Sequence, residues 1–162
     1  MRKPRKKRHG AVYHVIARAN RNEFIFESRE TRDLFIDVLK RAKKRYKFTM
    51  WNFCIMGTHV HMMMQPQGKE DLSKIMQWIL SVFAINFNNK FNLHGHVWYD
   101  RFKSWIINSI QQMFTTYQYI TDNPVKAGIV KKPEDYEHNG ISFIKMGIYD
   151  VIHPPGIFQC II

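Results

Sequence analysis

The order of short alternating segments and long helical segments constrains the fold of this chain more than any other sequence feature. Residues 11–19 alternate between two faces and are rich in β-formers, which predicts a strand. Apolar residues in 34–42 recur at helical spacing, with Ser28 or Thr31 as the N-cap, and a longer apolar stripe follows Asp71 or Ser73. Further strands are predicted at 48–56, 59–65 and 97–107, and another helix at 109–119.

The resulting order, β-α-β-β-α-β-α, predicts an α+β domain with an antiparallel sheet and helices packed on it. Among such domains, the ferredoxin-like split β-α-β arrangement fits best. Pro124 is expected to stop or kink the last helix, because proline lacks a backbone N–H. From Lys131 onward the sequence predicts irregular structure.

The charge of the chain is strongly positive and unevenly distributed. There are 25 Lys and Arg residues against 13 Asp and Glu residues, a formal net charge of +12. Residues 1–10 carry half of that excess. This balance excludes an acidic disordered chain and favours a polyanionic partner. The basic N-terminal residues are expected to form either a solubilising arm or one that contacts phosphates.

The cysteine content and hydropathy indicate an intracellular protein. Cys54 and Cys160 form neither a CxxC metal motif nor a disulfide framework, so a reducing cytoplasm is the expected location. No run of 18 apolar residues predicts a membrane span. The basic segment 1–10 lacks the apolar core of a signal peptide.

A histidine pair is the strongest local signal for chemistry. On a strand, His59 and His61 face the same side while Val60 points to the other, so two imidazoles are presented together. Such a pair can form half of a metal site, although two solvent-facing or hydrogen-bonded histidines are an equally ordinary outcome. The second pair, His94 and His96, lies in a predicted loop that does not fix two rings on one side.

Tyr119 and Asn123 would share one face if the helix continues through both, because they are four residues apart. A phenol can act as a nucleophile, and a carboxamide oxygen can bind a hard cation. The alternatives are a half-buried tyrosine with a bonded hydroxyl and an Asn123–Pro124 helix cap. In a basic protein, a histidine pair, a tyrosine and an amide ligand together point to phosphodiester cleavage. A nearby cation would help the phenol to ionise.

These residues lie within longer blocks that resemble a known family. The sequence resembles the single-tyrosine HUH transposases, and specifically the REP-associated tyrosine transposase branch. HUH denotes a His-hydrophobe-His motif. The matching blocks are Met56–Met63, Asn88–Lys90, Gly95–Trp98, Arg101–Ser104, Tyr119–Gly128 and Pro133–Tyr136. They span about residues 10–147, which leaves a basic arm at 1–9 and a C-terminal tail at 148–162.

The resemblance implies a ferredoxin-like fold and an enzyme that cleaves and rejoins single-stranded DNA at hairpin-forming ends. It implies that His59, His61 and Asn123 bind Mg²⁺ or Mn²⁺, and that Tyr119 is the nucleophile. Tyr119 would form a 5′-phosphotyrosine link and release a 3′-hydroxyl. Tyr117 is a backup nucleophile only. The family's Trp-Ser-Ser run after the position of Tyr136 is not present here.

Candidate DNA contacts follow from residue type and position. Arg18, Arg21, Arg101 and Lys103 are expected to contact phosphates. Trp98, with Tyr99 and Phe102, could stack on unpaired bases, but Trp98 and Phe102 are also plausible core residues.

Two functional alternatives remain. One is a non-catalytic DNA-binding protein derived from such a transposase, and the other is a related replication initiator or relaxase. The family contains both monomers and dimers that exchange the tyrosine helix, so a homodimer is one of two expected assembly states.

Overall fold

The computed structural model describes residues 7–153 and residue 156. Its elements, in chain order, are β1 Tyr13–Arg18, α1 Arg29–Arg45, β2 Phe48–Ile55, β3 His59–Pro66, α2 Leu72–Phe91, β4 Lys103–Ile106, α3 Ile110–Lys126 and α4 Gly140–Lys145. Two short 3₁₀ turns occur at Asn20–Asn22 and Pro133–Asp135.

The four strands form one antiparallel sheet with the order β2-β3-β1-β4. The order of strands and helices along the chain, together with this arrangement, is that of a ferredoxin-like α+β domain, as the sequence predicted. The central strands β1 and β3 pair so that Ile16 lies opposite His61 and His14 lies opposite Met63. On the other side of β1, His14 is the partner of Trp105 in β4.

One face of the sheet is covered by α1 and α2. Ser28 Oγ accepts the backbone N–H of Thr31 and Asp71 Oδ1 accepts that of Ser73, so both helices begin at capped ends. Their apolar stripes bury the main core against the sheet. Core residues shared by helices and strands include Val15, Phe35, Leu39, Met62, Ile79 and Phe83.

The described residues cover only part of the opposite face. Helix α3 packs on β2 and β3 above a second cluster that includes Met63, Tyr117 and Ile120. Side chains of β1 and β4 that point to this face remain exposed, as Arg18 and Trp105 show. The open half of the sheet therefore lies beside the helix that carries Tyr119.

Two sequence predictions of secondary structure before Lys131 differ in detail from the structure. The predicted strand 97–107 is a strand only at Lys103–Ile106, because the preceding loop contributes just an isolated bridge between Trp98 and Ala19. Helix α3 does not end at Pro124 but continues to Lys126. Pro124 is itself buried, and its missing N–H removes one helical hydrogen bond close to the end of α3.

The chain after Lys131 is more regular than expected. Helix α4 forms there because Asn139 Oδ1 caps it by accepting the backbone N–H of Ser142, and because Phe143 is buried in the main core. Beyond residue 147, Val151 and Ile152 also belong to the main core.

The predicted arm and tail are only partly described. Residues 1–6 of the arm lie outside the described residues, as do 154–155 and 157–162 of the tail, which include Cys160. In the described part of the arm, Lys7 Nζ lies 2.7 Å from Asp71 Oδ2. Among the helices that the structure describes, none has the length and apolar content needed to cross a bilayer.

Candidate active site on the open face of the sheet

The histidine pair lies on the face of β3 that points away from the main core. Val60 between them is fully buried in the main core, so the strand alternation sends both imidazoles to the face occupied by α3. The ring centroids of His59 and His61 are 4.9 Å apart and the rings are nearly perpendicular. His61 is only 3% exposed, and His59 is partly buried.

Hydrogen bonds engage the same nitrogen in each ring. Thr58 Oγ1 lies 3.0 Å from Nδ1 of His59, and His14 Nε2 lies 3.1 Å from Nδ1 of His61. A ligating histidine in a metal site typically uses one nitrogen for the ion and the other for such a partner. This arrangement leaves Nε2 of both rings as the nitrogen suited to bind a ligand.

All three histidines of this cluster favour the neutral form. Burial lowers the pKa of His14 and His59 from 6.5 to about 4, with the charge of Arg18 adding to the effect at His59. Burial lowers the pKa of His61 to about 3, assisted by His59, His14 and Arg18. Neutral imidazole is the form that binds metal ions.

His14 is a part of this site that the sequence did not identify. Alternation placed His14 on one face of β1 with Ile16 and Arg18. It did not show which strands pair with β1, and so which side chains lie next to His14 on that face. The pairing of β1 with β3 brings His14 against His61, with ring centroids 5.4 Å apart and the rings stacked at 22°. Knowledge of the sheet order would have been needed to find it.

Helix α3 places Tyr119 next to these rings. The buried stripe of α3 is Tyr117, Ile120, Thr121 and Pro124. Tyr119 lies to one side of that stripe and is 43% exposed. Its ring centroid is 5.6 Å from that of His61 and 5.9 Å from that of His14. Lys126 Nζ lies 5.2 Å from the Tyr119 ring centroid, which places a cation beside the phenol.

Asn123 lies one helical turn beyond Tyr119. Its Nδ2 donates to the backbone oxygen of Tyr119 at 3.4 Å, so Oδ1 is the side-chain atom with the chemistry to bind a cation. Because Asn123 is inside α3, it is not the cap of a following helix. Tyr119 and Asn123 thus occupy successive turns of one helix, as the four-residue spacing predicts.

Tyr117 lies in a different environment from Tyr119. It is 6% exposed within the second cluster, and burial raises its pKa to about 12. Buried Asn52 of β2 donates from Nδ2 to the backbone oxygen of Tyr117 at 3.0 Å and to Thr121 Oγ1 at 2.9 Å. These bonds attach α3 to the sheet close to Tyr119.

The donor set fits a divalent cation of the Mg²⁺ or Mn²⁺ type. Two neutral imidazole nitrogens make Mn²⁺ suitable, while a carboxamide oxygen and substrate phosphate oxygens suit either ion. Within the described residues, no group of three or more His, Cys, Asp or Glu side chains is arranged to hold a metal ion. The ligands that the family resemblance implies, His59, His61 and Asn123, fall outside this definition because Asn123 is an amide.

A basic groove continues from this cluster along the open half of the sheet. Its volume is about 660 Å³. It brings together the four cations singled out in the sequence, Arg18, Arg21, Arg101 and Lys103, and it is also lined by Tyr99 and Trp105. Backbone bonds between the end of β1 and the loop before β4 hold the groove, with Tyr99 N–H donating to Arg18 O at 3.0 Å.

Trp98 does not line this groove. Its indole Nε1 donates to the backbone oxygen of Leu80 at 2.9 Å, and its ring packs against Phe26 and Phe83 in the main core. The sequence left two roles open for Trp98, base stacking and core packing, and the observed contacts correspond to core packing. Phe102 is likewise a buried core residue.

The fold and the side chains on its open face define an α+β, ferredoxin-like domain with a histidine pair and a tyrosine side by side. The chain belongs to the IS200-like transposase family, whose model matches residues 7–123. This confirms the resemblance indicated by the sequence motifs.

Individual relatives agree with this assignment. A Haemophilus influenzae protein assigned as a REP-associated tyrosine transposase is 24% identical over 115 residues, which is 65% of this chain and 65% of that protein. This chain therefore aligns with less than two thirds of that relative's length.

Two solved structures share the fold. A REP-associated tyrosine transposase bound to a REP hairpin matches with a TM-score of 0.74 and 20% identity, over 97% of this chain and 93% of that one. A Deinococcus radiodurans protein assigned as a transposase matches with a TM-score of 0.53 and 17% identity, over 74% of this chain and 95% of that one.

Proposed function

We propose that this chain is a DNA strand transferase that cleaves and rejoins single-stranded DNA at hairpin-forming ends. The observation that supports this most directly is the position of Tyr119, with its ring 5.6 Å from that of His61 on the open face of the sheet. A nucleophile, a cation-binding histidine pair and a basic groove are then combined on one surface. The REP hairpin bound by the structural relative supports hairpin DNA as the substrate class.

In the proposed reaction, Tyr119 Oη loses its proton and attacks a phosphodiester phosphorus in line. An Oη–P bond forms and the bond from phosphorus to the 3′-oxygen breaks, so that oxygen takes a proton and leaves as a 3′-hydroxyl. The 5′-phosphate remains esterified to Tyr119. Attack by another 3′-hydroxyl reverses these steps and joins the strands, and no nucleotide cofactor is needed because the ester keeps the phosphoryl group activated.

His59, His61 and Asn123 would hold Mg²⁺ or Mn²⁺ in this reaction. When bound, such an ion supplies charge that polarises a phosphoryl oxygen. The lowered pKa values of both histidines keep them neutral and able to bind the ion. Lys126 Nζ, 5.2 Å from the Tyr119 ring centroid, would place a positive charge beside the phosphate that Tyr119 attacks.

The groove would bind the strand that enters the site. Arg18, Arg21, Arg101 and Lys103 are proposed to contact its phosphates, since phosphate contacts fix the register of a nucleic acid. In this proposal the protein acts in the cytoplasm. The assembly state, monomer or homodimer, remains a prediction.

The test is covalent adduct formation on labelled hairpin DNA in the presence of Mn²⁺, scored as a protein–DNA band that survives denaturation. Tyr119→Phe is expected to abolish the adduct while hairpin binding survives. Tyr117→Phe is the matched control and is expected to form the adduct. Wild-type protein that binds hairpins but never forms an adduct would instead support a non-catalytic DNA-binding protein.

A further inference from the structure

We propose that the indole of Trp105 is a stacking site for an unpaired DNA base immediately beside the cleavage centre. This inference rests on the proposed function, and it names a binding site for one nucleotide of the substrate. Trp105 was not singled out in the sequence. Its role depends on where the sheet places it.

Trp105 connects the groove with the catalytic cluster. It lies on β4, an edge strand of the sheet, directly opposite His14 of β1. Its ring centroid is 5.7 Å from that of His14, which in turn is 5.9 Å from that of Tyr119. A base on Trp105 would therefore belong to a nucleotide adjacent to the phosphate that Tyr119 attacks.

The exposure of Trp105 leaves its ring accessible. Trp105 is 48% exposed, whereas Trp98 is partly buried and packs against the main core. A single exposed aromatic residue is common on protein surfaces and by itself indicates nothing. Trp105 differs because it lies between a row of cations and the proposed nucleophile.

The surroundings of Trp105 provide the charge that a single strand needs. Lys103 is two residues away on the same face of β4, about 6.6–6.8 Å along the strand. Arg18, Arg21 and Arg101 continue the groove, and Tyr99, 71% exposed, adds a second ring. Surfaces that bind single strands combine cations for the backbone with aromatic rings for the bases.

The same charges argue against a second copy of this chain as the occupant. The groove lining contains four cations and one carboxylate, Asp100. The chain carries a net charge of +12, so two such grooves would repel each other, whereas a polyanionic strand is attracted. Single-stranded DNA is therefore the occupant that the charges favour.

The experiment separates stacking from charge by using two probes of equal length and charge, oligothymidylate and an abasic oligonucleotide. Binding is measured by fluorescence anisotropy in a Tyr119→Phe background, so that no covalent product forms. Trp105→Ala is expected to weaken oligothymidylate binding about 5- to 150-fold, which corresponds to the ~1–3 kcal/mol of one stacked base. Binding of the abasic probe should stay within about twofold of the parent protein.

Two further variants make the result specific. Trp105→Phe keeps an aromatic face and is expected to recover most of the affinity for oligothymidylate. Tyr149→Ala, which removes a similarly exposed ring outside the groove lining, should leave both affinities unchanged. The proposal is overturned if Trp105→Ala binds oligothymidylate as the parent does, or if it weakens both probes equally. A dimer that dissociates on Trp105→Ala with DNA affinity unchanged would also overturn it.

The stacking site and the proposed function can be refuted independently of each other. The effect of Trp105→Ala on base-dependent binding is measured in the Tyr119→Phe background, where no cleavage occurs. The adduct is measured in protein that retains Tyr119. An adduct without Trp105-dependent binding would refute the stacking site alone. Trp105-dependent binding without an adduct would refute the strand transferase alone.

Discussion

Nε2 of His14 lies 3.1 Å from Nδ1 of His61, and the two rings stack at 22°. A His61 that binds a cation through Nε2 carries its proton on Nδ1, so Nδ1–H would donate to His14 Nε2. His14 would then fix both the tautomer and the orientation of the ligand. In the proposed mechanism it is a positioning residue, because it would act on the ion through His61.

His14→Ala is expected to weaken Mn²⁺ binding about 10- to 100-fold, the usual effect of losing the partner of a metal-bound histidine. The measurement is calorimetric titration of the DNA-free protein with Mn²⁺. His14→Gln should retain part of the affinity, because its carboxamide oxygen can accept the same hydrogen bond. His94→Ala, in an exposed loop, is the control and should bind Mn²⁺ normally. Equal affinities in His14→Ala and His94→Ala would refute the positioning role.

Asn123→Ala tests the third ligand, and we expect it to weaken Mn²⁺ binding and adduct formation together. Asn123→Asp should retain Mn²⁺ binding, because it keeps an oxygen at the same place on α3 and adds a negative charge. Calorimetric titration followed by the adduct assay checks both variants. If Asn123→Ala binds Mn²⁺ as tightly as the wild type, Asn123 is not a ligand.

The order of secondary-structure elements was predictable from the sequence because each element has its own periodicity. The strand alternation around Val60 and the helical spacing of Tyr119 and Asn123 are local properties. His14 and Trp105 could not be assigned to the site in this way. Their roles depend on β1 lying between β3 and β4, which is a long-range pairing.

Two other differences have identifiable physical causes. Pro124 was expected to stop or kink α3; the helix does not stop there but continues to Lys126, with Pro124 buried in the stripe that packs on the sheet. Trp98 and Trp105 both fall in the segment 97–107 that the sequence predicted as one strand, yet one packs on α2 and the other lies in the groove. The course of the loop before β4 determines the environment of each tryptophan. That course is set by tertiary hydrogen bonds and not by local periodicity.

The lowered pKa values of the histidine cluster predict a loss of stability in mild acid. His14, His59 and His61 have pKa values of about 4, about 4 and about 3 in the folded protein, against 6.5 without burial. The unfolded chain therefore binds more protons as the pH falls below 6.5, and the folded state loses stability progressively toward pH about 4.

Urea unfolding with EDTA present, compared between about pH 7 and about pH 5, measures this loss. His61→Gln removes one of the three titrating rings, so its free energy of unfolding should fall less over this interval than that of the wild type. The same pH dependence in both proteins would show that the buried ring does not contribute.

The groove cations predict a specific change in salt dependence. Each phosphate contact on a single strand contributes about −0.7 to the slope of log affinity against log salt. Lys103→Gln should therefore make the slope shallower by about 0.7 and weaken binding to oligothymidylate and abasic probes alike. Lys44→Gln is the matched control, because Lys44 lies on α1 at the opposite face of the sheet. An unchanged slope for Lys103→Gln would remove Lys103 from the phosphate contacts.

Asn52 links the stability of the fold to the position of Tyr119, the proposed nucleophile. It is fully buried, and its Nδ2 bonds both Tyr117 O and Thr121 Oγ1 on α3. Asn52→Ala leaves these groups without their partner and opens a cavity, so the free energy of unfolding should fall by ~1–3 kcal/mol. Urea unfolding measures this change.

Adduct formation should be slower in Asn52→Ala even at temperatures where the variant is fully folded, because α3 carries Tyr119 and loses a fixed attachment to β2. Thr121→Val is the matched comparison. It removes only one acceptor, while Asn52 Nδ2 can still donate to Tyr117 O, so its effects on stability and adduct rate should be smaller. If Asn52→Ala lowers stability but forms adducts at the wild-type rate, these hydrogen bonds stabilise the fold without positioning Tyr119.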